Sequence, residues 1–237
     1  MRRRPCMRAG RVSSVSSSWS ALSPSGHVLD VATGAGHAAL ALAPHVARVI
    51  ASDITDEMLA EAAKLAAARG LANVETAKAE AGSLAFADAS FDLVTCRLAA
   101  HHFPTPPPPS VAESFRVLRP GGTFALVDNV SPDASMLPLA TRPPAELINA
   151  ARAFNIYEKT RDPSHARALT LPEWYTLMEK SGLSVAGSEL LDQVHRLRGV
   201  DGTHALLAET VVVLKSKLFQ RCPLAHLPAP RAKRTRL

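Results

Sequence analysis

Cysteine and aromatic residues are scarce in this sequence, whose 237 residues include three Cys, two Trp and two Tyr. Cys6, Cys96 and Cys222 are too few and too far apart for a disulfide framework or for the paired ligands of a zinc site. We therefore expect a reducing compartment and no metal site. Long apolar runs are also missing, since none approaches the roughly 18 residues that a membrane-spanning helix needs.

Acidic residues are absent from both ends of the chain. Residues 1–29 carry five arginines and residues 221–237 carry five basic residues, whereas residues 30–220 have a net charge of −4. The overall charge of +6 therefore belongs to the two ends, and we do not expect a nucleic-acid partner. We expect a cytoplasmic protein. The Arg- and Ser-rich composition of Met1–Ser20 is typical of organellar transit peptides, which makes mitochondrial or plastid targeting the alternative.

Between Gly26 and Asn129, short β-branched apolar runs alternate with helical patterns, which is typical of a parallel sheet with crossover helices. Beyond Asn129 a Pro-punctuated helical stretch precedes two further strands, which indicates one α/β domain with a small helical cap insertion. The expected strands are His27–Ala32, Arg48–Asp53, Asn73–Ala77, Phe91–Arg97, Thr123–Asp128, Leu183–Glu189 and Thr210–Leu214. The expected helices are Asp56–Arg69, Ser110–Leu118, Glu146–Glu158 and Leu171–Ser181.

The most informative stretch is Asp30–His37, where a buried strand runs into a turn with two glycines. Gly34 and Gly36 lack a Cβ atom, so a ligand can approach their backbone closely. Asp53 ends the next strand, and a carboxylate there can accept hydrogen bonds from both hydroxyls of a ribose. This pattern predicts a nucleotide site at the carboxyl end of the first strand. A capping role for Asp53 and a turn that only closes the corner are the structural alternatives.

The same turn also fits a dinucleotide fingerprint, because the stretch GAGHAA from Gly34 satisfies the form G-x-G-x-x-A. A short-chain dehydrogenase would further need a Tyr followed four residues later by Lys. Tyr157 and Tyr175 are followed at that spacing by Arg and Glu. The sequence therefore does not support that form of hydride transfer.

Four motifs in order make the chain similar to the class I S-adenosylmethionine-dependent methyltransferases, and within them to the ubiquinone and menaquinone biosynthesis group. They are LDVATGAGH from Leu29, the acid Asp53, the segment from Ala79 into FADASFDLVTCRLAAHHF, and RVLRPGGTFALVDN from Arg116. The resemblance covers residues 26–130. It implies a Rossmann-like, doubly wound sheet, mostly parallel with an antiparallel last strand and with helices on both faces. It also implies S-adenosylmethionine as cofactor and a small-molecule acceptor such as a quinol, a phenol, an acid or a lipid-like compound.

Position by position, the resemblance implies a set of cofactor-binding residues. They comprise residues in and before the glycine turn, an acid on the ribose, a pair at the adenine, and an arginine beside the substrate. In that order they are Asp30, Thr33, Gly34, Ala35 and Gly36; Asp53; Glu80 and Ala81; and Arg97. The family usually has Asp or Asn where Glu80 stands, so this side chain is one methylene longer than the usual acid.

Methyl transfer from a sulfonium is an in-line displacement, so positioning of the nucleophile is the main requirement. A general base helps when the nucleophile carries a proton, and either His101 or His102 after the fourth strand suits that role, with His102 slightly favoured. We expect Asp128 and the polar segment containing Arg161 and His165 on the substrate side. Packing roles for the histidines and a turn-capping role for the segment remain open.

The ends of the chain depart from this family, which usually has a helical segment before the first strand. We expect a basic extension at 1–25, a methyltransferase domain at 26–218 with the cap at about 130–170, and a basic Pro-rich tail at 219–237. A protein that binds the cofactor without catalysis, as a regulator or scaffold, is the alternative. RNA methylation is a weaker one, because the fourth strand is followed by RLAA rather than by Asn/Asp-Pro-Pro-aromatic.

Overall fold

The computed structural model describes residues 22–104, 108–133, 144–198 and 204–218. The strands are β1 (His27–Val31), β2 (Arg48–Asp53), β3 (Val74–Lys78), β4 (Phe91–Arg97), β5 (Leu118–Asn129), β6 (Leu183–Arg198) and β7 (His204–Leu218). The helices are α1 (His37–Leu42), α2 (Asp56–Ala68), α3 (Pro108–Val117), α4 (Pro144–Arg161) and α5 (Leu171–Lys180), with short 3-10 turns at Ala43–His45 and Ala100–His102. Most of the expected basic extension and all of the expected tail lie outside the described residues.

The seven strands form one sheet with the order β3-β2-β1-β4-β5-β7-β6. The first five strands in this order run parallel, and β7 is antiparallel to both β5 and β6. This confirms the predicted Rossmann-like α/β fold with an antiparallel last strand. The strand order reverses at β1, whose neighbours are β2 and β4, and open α/β sheets bind ligands at the carboxyl ends of the strands beside such a reversal.

Helices cover both faces of the sheet, so the central strands are apolar along nearly their whole length. Leu29 of β1 packs in a core cluster that contains Trp174 and Met178 of α5. Val28, which points to the opposite face, packs in a second cluster with Leu42 of α1. The sheet is thus rigidly held, and the ends of β1, β2, β4 and β5 meet at one edge.

Several elements differ in length from their predicted bounds. The helix α3 begins at Pro108, because proline is tolerated in the first turn of a helix, where its missing N–H would have no partner. The helix α4 is longer at both ends than the predicted Glu146–Glu158. The strands β6 and β7 are also longer, because their backbone pairing continues to Arg198 and His204 beyond the apolar runs that marked them.

Hydrogen bonds attach α4 and the segment after it, residues 162–170, to the edge of the sheet, and these two parts are called the cap below. The Ser131 N–H, just after β5, donates to the Leu169 carbonyl at 3.0 Å, and the Asn155 side chain of α4 donates to the Ser131 hydroxyl at 3.1 Å. The Ala166 N–H donates to the His101 carbonyl, just after β4, at 2.8 Å. The cap therefore lies at the carboxyl ends of β4 and β5. In the four described ranges, no helix is long and apolar enough to cross a membrane.

Candidate functional site

Asp30 is a buried carboxylate near the end of β1, with 1% of its surface exposed. Its Oδ2 atom accepts hydrogen bonds from the Thr33 hydroxyl at 2.6 Å and from the Ala39 N–H at 3.2 Å. Its Oδ1 atom accepts one from the Thr95 hydroxyl at 2.6 Å. Burial raises the pKa of Asp30 above its ordinary 3.8, although these hydrogen bonds and the Arg97 guanidinium oppose the rise. The carboxylate joins β1, β4, the glycine turn and α1.

The glycine turn between β1 and α1 has a left-handed backbone. The φ angle is +52° at Ala32, +55° at Gly34 and +82° at Gly36. A Cβ atom on Gly36 would lie 3.0 Å from the Cβ atom of Ala62, so α2 packs directly against this glycine. A Cβ atom on Gly34 would meet no atom within 4 Å. Gly36 is therefore required for packing, whereas the space beside Gly34 is open to a ligand.

A cavity of about 220 Å³ lies between the end of β1, the start of α1 and the end of β4. This is smaller than the roughly 300–1,000 Å³ of typical ligand pockets, so it encloses part of a ligand of that size. Leu98 has φ +52°, like Ala32, and its N–H donates to the Val127 carbonyl at 2.7 Å. Strained non-glycine residues of this kind cluster at functional sites. The lining residues are Asp30, Ala32, Thr33, Gly34, Ala35, His37, Ala38, Arg97 and Leu98.

Asp53 ends β2 beside the glycine turn and is 8% exposed. Its Oδ2 atom accepts a hydrogen bond from the Gly34 N–H at 2.9 Å, and its Oδ1 atom accepts one from the Thr55 N–H at 3.0 Å. Thr55 occupies the N-cap position of α2 without a capping side-chain bond, so Asp53 also fixes the start of that helix. Each oxygen keeps a second lone pair, which leaves both able to accept from ligand hydroxyls.

Ile54, which follows Asp53, was not identified from the sequence as a site residue. Its side chain is 63% exposed. An apolar group beside a carboxylate at the edge of the sheet offers contact to the flat face of a ligand ring. The sequence feature that could have identified Ile54 is its position, as an apolar residue directly after the acid that ends β2.

The residues expected at the adenine lie near Asp53 but do not line the cavity at the end of β1. The Ala79 N–H donates to the Asp53 carbonyl at 3.0 Å, which places the following residues beside the end of β2. Glu80 is exposed and pairs with Ser83 in an isolated β-bridge. Ala81 packs against the core. This pair therefore lies on the Asp53 side of the glycine turn.

His101 lies in the turn after β4, with 8% of its side chain exposed. Its Nδ1 atom lies 2.5 Å from Oδ1 of Asp128, whose side chain on β5 is fully buried. Burial lowers the pKa of His101, but the hydrogen bond and charge of Asp128 and the charges of Glu158 and Asp162 raise it, so the net pKa lies above 6.5. Among the described residues, Nε2 has no hydrogen-bond partner and is not a buried unpaired atom, so it can meet a ligand.

His102 reaches a carboxylate indirectly. Its Nδ1 atom lies 3.0 Å from the Ser164 hydroxyl, which lies 2.6 Å from Oδ1 of Asp162. Because the serine donates its hydroxyl proton to the carboxylate, Nδ1 of His102 is the donor to the serine oxygen. The Asp162 oxygen also accepts the Ser164 N–H at 2.8 Å, so this group closes a turn as well as contacting His102.

His165 is 1% exposed and belongs to the same cluster of rings, with its centroid 5.4 Å from that of His101. Its Nε2 atom lies 3.0 Å from Oδ1 of Asn155, which also accepts the Ala168 N–H at 2.7 Å. Since Asn155 Oδ1 is an acceptor, His165 donates through Nε2. Burial lowers the pKa of His165, and the neighbouring His101 lowers it further.

Arg161 lies on the cap, where its guanidinium donates to Oε2 of the buried Glu158. The predicted site residues thus fall into two neighbouring groups. The cofactor group surrounds the cavity and Asp53, and the substrate group surrounds His101. Among the described residues, no three His, Cys, Asp or Glu side chains are placed to hold a metal ion.

Replacing Asp128 with Asn removes the charge that holds a proton on His101. A histidine with a raised folded-state pKa stabilises the fold fully below its unfolded pKa, about 6.5, and this contribution is lost as pH rises through the folded-state pKa. The wild type should therefore lose free energy of unfolding from about pH 6.5 upward, and Asp128→Asn should lose less over the same range. Urea unfolding at a series of pH values measures both slopes.

The control is Glu179→Gln, which changes an exposed carboxylate on α5 and should keep the wild-type slope. The comparison uses slopes because Asn at a buried position lowers stability at every pH. Equal slopes in the wild type and Asp128→Asn would contradict the assignment of the raised pKa to this pair.

Known proteins share this motif region. A family model described as a methyltransferase domain matches residues 28–122, less than half of the chain. YcgJ of Bacillus subtilis, described as an uncharacterized methyltransferase, is 40% identical over 157 residues, which are 66% of this chain and 56% of that protein. Demethylmenaquinone methyltransferase of Deinococcus radiodurans is 38% identical over 112 residues, 46% of this chain and 45% of that protein. The chain spans about half the length of these curated relatives.

Solved structures share the fold over most of this chain. The crystal structure of YcgJ aligns with a TM-score of 0.73 at 26% identity and covers 87% of this chain and 97% of its own. BH2331 of Bacillus halodurans, described as a candidate methyltransferase, aligns with a TM-score of 0.75 at 28% identity. The alignment covers 87% of this chain and 98% of that protein's chain. The matched region contains the glycine turn, Asp53 and Arg97. The matched region is therefore a methyltransferase domain, and its sheet order and motifs are similar to those of the class I S-adenosylmethionine-dependent methyltransferases.

Proposed function

We propose that this chain transfers the methyl group of S-adenosylmethionine to a small-molecule acceptor, such as a quinol, a phenol, an acid or a lipid-like compound. One observation carries the proposal. The space beside Gly34 is open, the Asp53 carboxylate borders it, and it adjoins the cavity at the end of β1. A ligand with a ribose and a polar tail fits this space. Its ribose hydroxyls would contact the Asp53 carboxylate, and its tail would contact the polar groups that line the cavity.

The residues around this space fit the chemical groups of the cofactor. Asp53 has free lone pairs for the ribose hydroxyls, and Ile54 offers apolar contact to the adenine ring. Thr33 and the backbone of the turn would hold the methionine part, with Arg97 facing the cofactor on the acceptor side. When bound, S-adenosylmethionine supplies a methyl carbon attached to a positively charged sulfur.

His101 is the better candidate for the general base. The carboxylate behind it is in direct contact and fully buried, whereas the carboxylate behind His102 acts through a serine hydroxyl. A charge interaction is stronger at a buried site, and a carboxylate on Nδ1 both orients the ring and stabilises its protonated form. Nε2 would accept the proton of the acceptor. We therefore prefer His101 as the general base, although the sequence analysis slightly favoured His102.

Asp53→Ala and Gly34→Val should abolish binding of S-adenosylmethionine, which we expect the wild type to bind with micromolar-range affinity. The first change removes the acceptor for the ribose hydroxyls. The second fills the open space and places a β-branched residue at φ +55°. Calorimetric titration measures the loss, with circular dichroism to verify folding.

The matched control is Asp88→Ala, which changes a carboxylate that is 77% exposed and pairs with Arg116 away from the glycine turn. It should bind the cofactor as the wild type does. A wild-type protein that gives no binding heat with the cofactor would contradict the proposed function.

His101→Gln should leave cofactor binding intact and slow methyl transfer by about 10²- to 10⁴-fold, the usual contribution of a general base. The assay follows S-adenosylhomocysteine formation with a panel of phenols, quinols, amines and acids. His102→Gln is the matched comparison and should keep most of the activity. Loss of transfer in His102→Gln with retention in His101→Gln would reverse the assignment.

A cofactor-binding protein without catalysis is the second candidate. One observation favours it, since neither His101 nor His102 lines the cavity at the end of β1. Such a protein would give the same binding result, including loss in Asp53→Ala. It would transfer a methyl group to no member of the panel, whereas the leading proposal requires transfer to at least one.

A further inference from the structure

Glu158 is a buried carboxylate on α4, although the three residues that follow it on this helix are exposed. Its side chain is 1% exposed, although Lys159, Thr160 and Arg161 directly after it are exposed. Its Oε2 atom accepts a hydrogen bond from Arg161, and Oε1 is buried without a partner among the described residues. Burying a carboxylate costs folding free energy, so a compensating charge or donor is expected nearby.

Besides Arg161, His101 is an ionisable group whose charge interacts with that of Glu158. The charge of Glu158 raises the pKa of His101, in addition to the larger effect of Asp128. The groups that face this cluster come from four elements. They are His101 and His102 in the turn after β4, Asp128 on β5, Glu158 and Arg161 on α4, and Asp162 and His165 in the segment after α4.

The attachments of the cap hold Glu158 in place relative to His101. The His101 carbonyl accepts hydrogen bonds from two successive N–H groups after α4, Ala166 at 2.8 Å and Arg167 at 3.0 Å. Asn155 lies three residues before Glu158, on the same face of α4, and contacts the His165 ring at 3.0 Å. The helix that carries Glu158 and the turn that carries His101 are therefore fixed in one arrangement.

We propose that Glu158 is a positioning residue that supplies His101 with a second buried negative charge, so that proton acceptance at His101 depends on the docked cap. Its role in methyl transfer rests on the proposed function. With His101 neutral, the cluster has the buried carboxylates of Asp128 and Glu158 and the nearby carboxylate of Asp162, against the half-exposed Arg161. A proton passing from the acceptor to Nε2 reduces this excess of negative charge. The acceptor lone pair then bonds the methyl carbon, and the electron pair of the broken carbon–sulfur bond stays on sulfur.

The test is an NMR titration of the His101 ring in the full chain, with its resonance identified by its absence in His101→Gln. Glu158→Gln should move the His101 midpoint to lower pH, because a negative charge is removed. Arg161→Gln should move it to higher pH, because the positive charge that opposes protonation is removed. The control Glu179→Gln should leave the midpoint unchanged.

A structural role alone would lower the unfolding temperature of Glu158→Gln without moving the midpoint, and an unmoved midpoint in the folded variant would overturn the proposal. If Glu158→Gln does not fold, Arg161→Gln decides, since an unchanged or lower midpoint there would overturn it as well. The titration needs no cofactor and no acceptor. Failure of the wild type to bind S-adenosylmethionine would overturn the proposed function and leave the titration result standing.

Discussion

The Asp30 carboxylate is the interaction on which the rest of the site depends. Its two oxygens accept hydrogen bonds from the Thr33 and Thr95 hydroxyls and from the Ala39 N–H, so one buried group ties the glycine turn and α1 to β1 and β4. A buried polar group that loses its partner costs more free energy than an ordinary hydrogen bond contributes. The turn is therefore held in a conformation that leaves the space beside Gly34 open.

The two groups of site residues are connected through the edge between β4 and β5. Arg97 lines the cavity at the end of β4, and the next residue, Leu98, donates its N–H to Val127. Val127 precedes Asp128, which binds His101. These contacts connect the proposed base, His101, to the cavity at the end of β1. The cap completes this arrangement because its backbone binds the His101 carbonyl.

Local motifs were predictable from the sequence, and long-range pairings were not. Gly34 and Asp53 could be predicted to lie side by side because a strand, a glycine turn and a strand-end acid have a recognisable spacing and parallel strands end side by side. His101 and Asp128 were both named, but nothing in the sequence showed that they contact each other across 27 positions. The burial of Glu158 could not be predicted because a single carboxylate in a polar helical segment is usually solvent-exposed. Its burial depends on how the cap docks.

Calorimetric titration of Asp30→Asn with S-adenosylmethionine measures whether Asp30 holds the turn in the form that binds this ligand. Asparagine keeps the size of the side chain but presents an amide donor where an oxygen accepted. We expect a folded variant whose affinity for S-adenosylmethionine is weaker by about tenfold or more, equivalent to about 1.4 kcal/mol. Wild-type affinity in the folded variant would contradict it.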